Sequence, residues 1–229
     1  MSFLITHFFP QEYLELVSSY VVAIVLIISI LMTGCRRLET MVKLFAVQSF
    51  GIITIMLFAA SINNKIDTIL ICGITFLGKC VLVPCILLFV LKKIQLNREV
   101  ETYIGLPLSM LLCCILTALI FAIISNIGIE KEIHVLSSGL LKTSISIILI
   151  GLFIMMTRKK AFAQIMGLYI MENGIFALTV DTIFEMPHIV EMGVLLDILL
   201  GAIVMGVWVY RIKQSFETIN VEELRNLRG

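Results

Sequence analysis

Apolar residues fill this chain in long blocks, and charged residues mark the gaps between them. Seven stretches, 16–34, 44–62, 68–91, 106–126, 136–156, 161–183 and 189–211, are predominantly apolar. Each approaches the run of about 20 residues that a helix needs to cross ~30 Å of hydrocarbon. The pattern predicts an all-α, polytopic membrane protein with seven transmembrane helices in one membrane domain. Its parts are an N-terminal three-helix unit (16–91), a linking helix (106–126), a C-terminal three-helix unit (136–211) and a tail (212–229). The connections run to no more than about 15 residues, too short to fold apart or to enclose a nucleotide, haem or iron–sulfur cluster.

The basic residues orient the bundle. With the N-terminus outside, Arg36, Arg37, Lys43, Lys92, Lys93, Arg98, Arg158, Lys159, Lys160, Arg211, Lys213, Arg225 and Arg228 all fall on the inner face. Only Lys65 and Lys131 fall outside, so the positive-inside asymmetry predicts an external N-terminus and a cytoplasmic tail. Met1–Pro10 carries no basic leader region or small-residue cleavage site, so the first helix is expected to be retained.

Composition agrees: 60% of residues are hydrophobic and 14% charged, against about 25% charged in a soluble domain. A net charge of +1, with the basic residues along a membrane edge, points away from nucleic acid. Cys35, Cys72, Cys80, Cys85, Cys113 and Cys114 form no CxxC pair and read as small apolar fillers.

Against this background the charges inside the blocks stand out. They are Lys79, Lys142, Glu172 and Asp197, with Glu191 nearer an edge. A charge at mid-membrane costs roughly 2.5–3.5 kcal/mol on insertion scales, so each needs a partner, internal water or a task. Counting ~1.5 Å per residue, Glu172, Lys79, Asp197 and Lys142 fall at overlapping depths and can form a lateral row. Burial in low dielectric disfavours the charged form of acids and bases alike, so acids and bases alternating with water suit proton movement. Static pairs that fix helix packing are the alternative for each of the four. Tyr169, Asn173 and Gln48 add polarity near the row. Glu191 and Asp181 lie close enough to helix ends to be interface residues.

A weak internal repeat runs through the chain. Gln48-Ser49-Phe50-Gly51-Ile52 follows twelve residues after Arg36, and Glu172-Asn173-Gly174-Ile175-Phe176 follows twelve after Lys160. Each unit then carries one charge in its next helix, Lys79 or Asp197, as a parallel repeat with a mid-membrane site would. Pro84 cannot donate to the carbonyl of Cys80, which predicts a kink just after Lys79. Asn173-Gly174 lowers the bulk beside Glu172 and predicts close helix approach.

The run Gln164-Ile165-Met166-Gly167-Leu168-Tyr169-Ile170-Met171-Glu172-Asn173-Gly174 resembles hydrogenase 4 component E, a membrane subunit in complexes of the formate hydrogenlyase type. Gly78-Lys79-Cys80-Val81-Leu82-Val83-Pro84 and the tail Ile219-Asn220-Val221-Glu222-Glu223 resemble the same family, so the likeness covers nearly the whole chain. Helices five to seven also resemble the small three-helix subunit of respiratory complex I and its counterpart in multisubunit cation/proton antiporters. In that relative the central glutamate falls where this chain has Tyr169, three residues before Glu172, which shifts the carboxyl ~4.5 Å along the axis.

The resemblance implies a multi-pass subunit of a bacterial or archaeal cell membrane, without a catalytic site or cofactor of its own. Antiporter-like membrane subunits and peripheral hydrogenase subunits would be its partners. The nickel–iron centre and iron–sulfur clusters would lie on those partners. Within such an arm the expected proton relay is Glu172, Asp197, Lys79 and Lys142, with Glu191, Tyr169, Asn173 and Gln48 in support. The rival expectations are a scaffold subunit of an NADH/quinone oxidoreductase or antiporter, and a stand-alone ion carrier.

Overall fold

A computed structural model of the chain describes residues 11–63, 72–73, 75–93, 100–127, 139–179 and 201. In chain order these form α1 (Gln11–Thr33), α2 (Leu38–Asn63), a π-helical segment (Phe76–Leu82) running directly into α3 (Val83–Lys93), α4 (Leu106–Ile127), α5 (Leu140–Thr157) and α6 (Ala161–Leu178). Among the described residues there is no strand beyond one isolated bridge between Thr102 and Arg158. Among the described residues five helices are long and apolar enough to cross a membrane: Leu16–Thr33 within α1, Leu38–Phe58 within α2, and the whole of α4, α5 and α6. The chain is therefore an all-helical, multi-pass membrane protein. Apart from residue 201, the seventh expected stretch (189–211), with Asp197 and Glu191, lies outside the described residues, as does Asp181.

A bundle dissolved in lipid needs no polar exterior, and large apolar side chains dominate the outward faces of its helices. Tyr20, Ile24, Ile27 and Leu31 on α1 and Leu108, Leu111, Ile115 and Leu119 on α4 stand exposed in rows one turn apart. Inside, Leu38, Met41 and Phe45 of α2 pack in one core with Ile147, Ile150 and Ile154 of α5 and Met166, Tyr169 and Ile170 of α6. Apolar burial drives little association in hydrocarbon, so close backbone approach must supply van der Waals contact instead. The α5–α6 seam does this with glycines. A Cβ at Gly151 would stand 2.5 Å from the amide N of Met171 and 2.7 Å from the carbonyl O of Gly167. One at Gly174 would stand 2.8 Å from the amide N of Ile148.

The expected kink near Pro84 takes a specific form. Val83 donates its N–H to the carbonyl of Gly78, an i→i+5 bond, and the chain returns to α-helix with Pro84 as the second residue of α3. Because α3 continues the π-helical segment without a break, Pro84 withholds an N–H from the carbonyls one turn back, and the helix widens at that point. The widened turn thus sits just before the proline, and Lys79 lies in its middle.

At the expected inner face three connections are stitched together. Val100 donates to Arg36 O (2.8 Å), Tyr103 to Thr157 O (3.0 Å) and Lys159 to Glu101 O (3.1 Å). Arg158 departs from its basic neighbours: it is fully buried, and its guanidinium donates to the carbonyl of Thr33 at the end of α1. That places a cation on one of the C-terminal carbonyls that a helix leaves unbonded. Among the described residues its Nε and Nη1 have no hydrogen-bond partner. Burial lowers the proton affinity of the guanidinium below its ordinary value, and the nearby thiols Cys35 and Cys113 push it the other way.

Cys35 feels the complementary effect. Burial pushes its thiol above the ordinary 9.0, and Arg158 offsets only part of that. A raised value means less thiolate at neutral pH, and the thiolate is the species that alkylates. In a chain whose other cysteines are alanine, maleimide coupling at Cys35 should therefore be slow at pH 7. Its rate should climb throughout the range up to and beyond pH 9, as read by mass shift against time. A rate that levels off below pH 8 would contradict the burial of this thiol.

Candidate functional site

The structure brings Lys79 and Glu172 together. Nζ of Lys79, carried on the π-helical segment, lies 2.9 Å from Oε1 of Glu172 on α6. Relative exposures of 2% and 5% put the pair inside the protein and away from lipid. Nζ also donates to Oδ1 of Asn173 at 3.5 Å and stands 4.9 Å from the centroid of the Phe176 ring, one turn on along α6. A cation over an aromatic face gains electrostatic attraction, and more so where water is scarce. The ammonium is thus held by a carboxylate, an amide oxygen and a ring face, all from one helix.

From Asn173 the polar contacts continue across the bundle. Its Nδ2 donates to Oγ of Ser49 (2.8 Å) and to Oε1 of Gln48 (3.4 Å), both on α2. Nε2 of Gln48 donates to Oγ of Ser29 on α1 at 2.8 Å. The Ser29 hydroxyl donates to the carbonyl of Val25, one turn back in its own helix, at 2.7 Å. Ser29, Gln48, Ser49, Lys79, Glu172 and Asn173 are all buried. Buried polar groups left unpaired cost about 1–3 kcal/mol each, so a cluster joining four helices also specifies their register.

The other expected residues fall in different places. Tyr169, one turn before Glu172 on the same helix, is buried with its ring 5.5 Å from that of Phe45 on α2. Lys142 on α5 is half-buried, with Nζ 5.8 Å from the Phe121 ring of α4. Asp197 and Glu191 lie outside the described residues. Ser29 joins the site without having been named in the sequence, and Ser49 and Phe176, named there only within the repeated runs, join it too. The matched segments of the internal repeat, Gln48-Ser49 and Glu172-Asn173, meet face to face here. No three of the described His, Cys, Asp and Glu side chains gather in a group able to hold a metal ion.

The site sets an ammonium directly against a carboxylate, with an amide oxygen and an aromatic face beside them. Glu172 lies in the part of the chain, residues 140–229, that matches the family of NADH-ubiquinone/plastoquinone oxidoreductase chain 4L. Over 188 residues the sequence is 23% identical to hydrogenase-4 component E of Escherichia coli, covering 81% of this chain and 85% of that one. The chain is similar to hydrogenase-4 component E along most of both lengths. Hydrogenase-4 component E of Shigella flexneri matches equally. An uncharacterized protein of Mycobacterium tuberculosis is 29% identical over 203 residues, covering 87% of this chain and 90% of its own. No solved structure matches. The motif resemblance is borne out: both likenesses support a complex I-like hydrogenase membrane subunit. Lys79 lies before the 4L-like part and Glu172 within it, so the ion pair bridges the two halves of the chain.

Proposed function

We propose that this chain is a non-catalytic subunit in the membrane arm of an energy-converting hydrogenase-type complex, of the formate hydrogenlyase kind, in a bacterial or archaeal cell membrane. It has seven transmembrane helices with the N-terminus outside. Its work is to pass protons, or the electrostatic signal that drives them, sideways through Lys79 and Glu172, with Asp197 and Lys142 continuing the row. Nickel–iron and iron–sulfur chemistry belongs to partner subunits, beside antiporter-like membrane neighbours.

One observation carries this reading: a buried Lys79–Glu172 pair at 2.9 Å between the N-terminal unit and the 4L-like part. Well-packed apolar side chains usually stabilise a fold as well as a buried ion pair does, so stability alone is weak reason for keeping one here. A pair that trades a proton needs both charges.

The test is proton movement by the intact complex in sealed vesicles, followed with a pH-sensitive dye during turnover. Glu172→Gln should leave assembly and electron transfer in place and lower protons moved per electron pair about ten-fold or more, as for loss of a positioned proton-transfer group. Unchanged translocation in that variant, with Asp197→Asn equally silent, would sink the relay. The orientation has its own check: a membrane-impermeant thiol reagent should reach Cys35 from the cytoplasmic side alone.

A further inference from the structure

The hydrogen bonds running from Lys79 to α1 all point one way, and both ends of the chain enforce it. At one end the Val25 carbonyl can only accept, so the single hydroxyl proton of Ser29 is committed to it at 2.7 Å. Ser29 must then accept from Gln48, which turns Nε2 of Gln48 toward α1 and Oε1 toward α6. Oε1 in turn faces Nδ2 of Asn173, leaving Oδ1 of Asn173 for Lys79. At the other end the Lys79 ammonium can only donate. Neither amide can flip without breaking a bond to a group that has no alternative role.

We infer that Asn173, anchored by Ser49, positions Lys79 against Glu172, and that Gln48 and Ser29 continue from it as a polarised, proton-blocking row, so that protons pass through the carboxylate on α6 and never toward α1. The inference rests on the relay reading for its consequence, and on geometry alone for its structure. Carrying a proton along a hydrogen-bonded row requires each member to accept on one side, release on the other, and then turn round. A carboxamide oxygen that accepts a proton must lose one from its own nitrogen, giving the unfavourable imidic acid form. The row ends at a backbone carbonyl, which has no proton to release. Every amide oxygen faces the ammonium, so the row favours positive charge at Lys79 while closing that side as an exit. Ser49 provides a second anchor for Asn173 at 2.8 Å, independent of Gln48 and Ser29. Asn173 is thus the positioning residue, and Gln48 and Ser29 only close the row beyond it.

The experiment uses the complete complex in vesicles and, in parallel, the isotopically labelled full chain in lipid. The first reads proton flux. The second reads the Lys79 Nζ to Glu172 Cδ distance by solid-state NMR. Ser29→Ala removes the terminal link but leaves the Asn173–Ser49 bond, so flux should stay within about two-fold of the parent and the distance should not change. Asn173→Leu removes the amide oxygen beside Lys79, so the distance should lengthen and flux should fall about five-fold or more, the range for a buried polar group losing its partner. A Ser29→Ala flux as low as that of Glu172→Gln would overturn the block, because the row would then be conducting. An unchanged distance in Asn173→Leu would overturn the positioning role. Should Glu172→Gln itself prove silent, the relay reading fails, while the distance measurement still judges the positioning role. Ser29→Ala decides the question even if Asn173→Leu does not fold.

Discussion

Replacing Glu172 alone with leucine should destabilise the protein by about 3–5 kcal/mol, and replacing Lys79 with methionine at the same time should recover most of that loss. The single change strands an ammonium in a site of 2% exposure, where Phe176 and the oxygen of Asn173 are weak substitutes for a carboxylate. The double change leaves two apolar side chains of similar bulk in a core already lined by them. Accumulation in membranes and thermal unfolding in detergent measure both effects. The comparison also separates a relay from a scaffold, since the direct pairing of Lys79 with Glu172 equally suits a static brace. A scaffold tolerates the double variant in every respect. A relay recovers stability in the double variant while proton translocation stays lost. A double variant that translocates normally would therefore end the proton-transfer reading, however well the single variants behave.

How much of this site was legible beforehand depended on contrast. Lys79 and Glu172 are charged residues in apolar blocks, so the cost of burying them made them conspicuous, and counting residues along each helix put them at similar depth. Their direct contact was one of several open pairings, because depth says nothing about which way a side chain faces. Ser29 and Ser49 gave no such contrast. A serine in a transmembrane helix can satisfy its hydroxyl on its own backbone, as Ser144 does on Leu140 and Ser29 on Val25. Only the packing of α2 against α6 reveals that Ser49 serves Asn173. Arg158 was hidden for the opposite reason. It begins the run Arg158-Lys159-Lys160, and a run of basic residues at a helix end reads as an exposed membrane edge. Its burial is decided by the bridge to Thr102 and the approach of Thr33, both far away in sequence. Pro84 signalled a disturbed helix, but a missing donor does not say whether the chain bends or widens by one residue. The bond from Val83 to Gly78 answers that.

The second large effect concerns the seam that holds Glu172 in place. Gly151→Val should abolish stable folding, with a cost above about 4 kcal/mol, whereas Gly78→Ala should be tolerated. The two glycines look alike as sequence, each small and inside an apolar helix. At Gly151 the added Cβ meets backbone on the facing helix: the Met171 amide at 2.5 Å, the Gly167 carbonyl at 2.7 Å and the Met171 Cα at 2.8 Å. No rotamer change relieves contact with main chain, so α5 and α6 must move apart along the contact that also includes Gly174 and Ile148. Separation forfeits the close approach on which helix association in lipid depends. It also shifts the segment that begins at Met171, next to Glu172, and so loosens the carboxylate from Lys79. At Gly78, one residue from Lys79, nothing lies within 4 Å of an added Cβ. Alanine there would remove backbone freedom from the unfolded chain without a clash, a gain of about 0.4–1 kcal/mol. Protein yield and melting temperature in detergent should therefore separate the two substitutions cleanly. Equal behaviour would mean that α5 and α6 are not in backbone contact, and that Glu172 is held by something other than this seam.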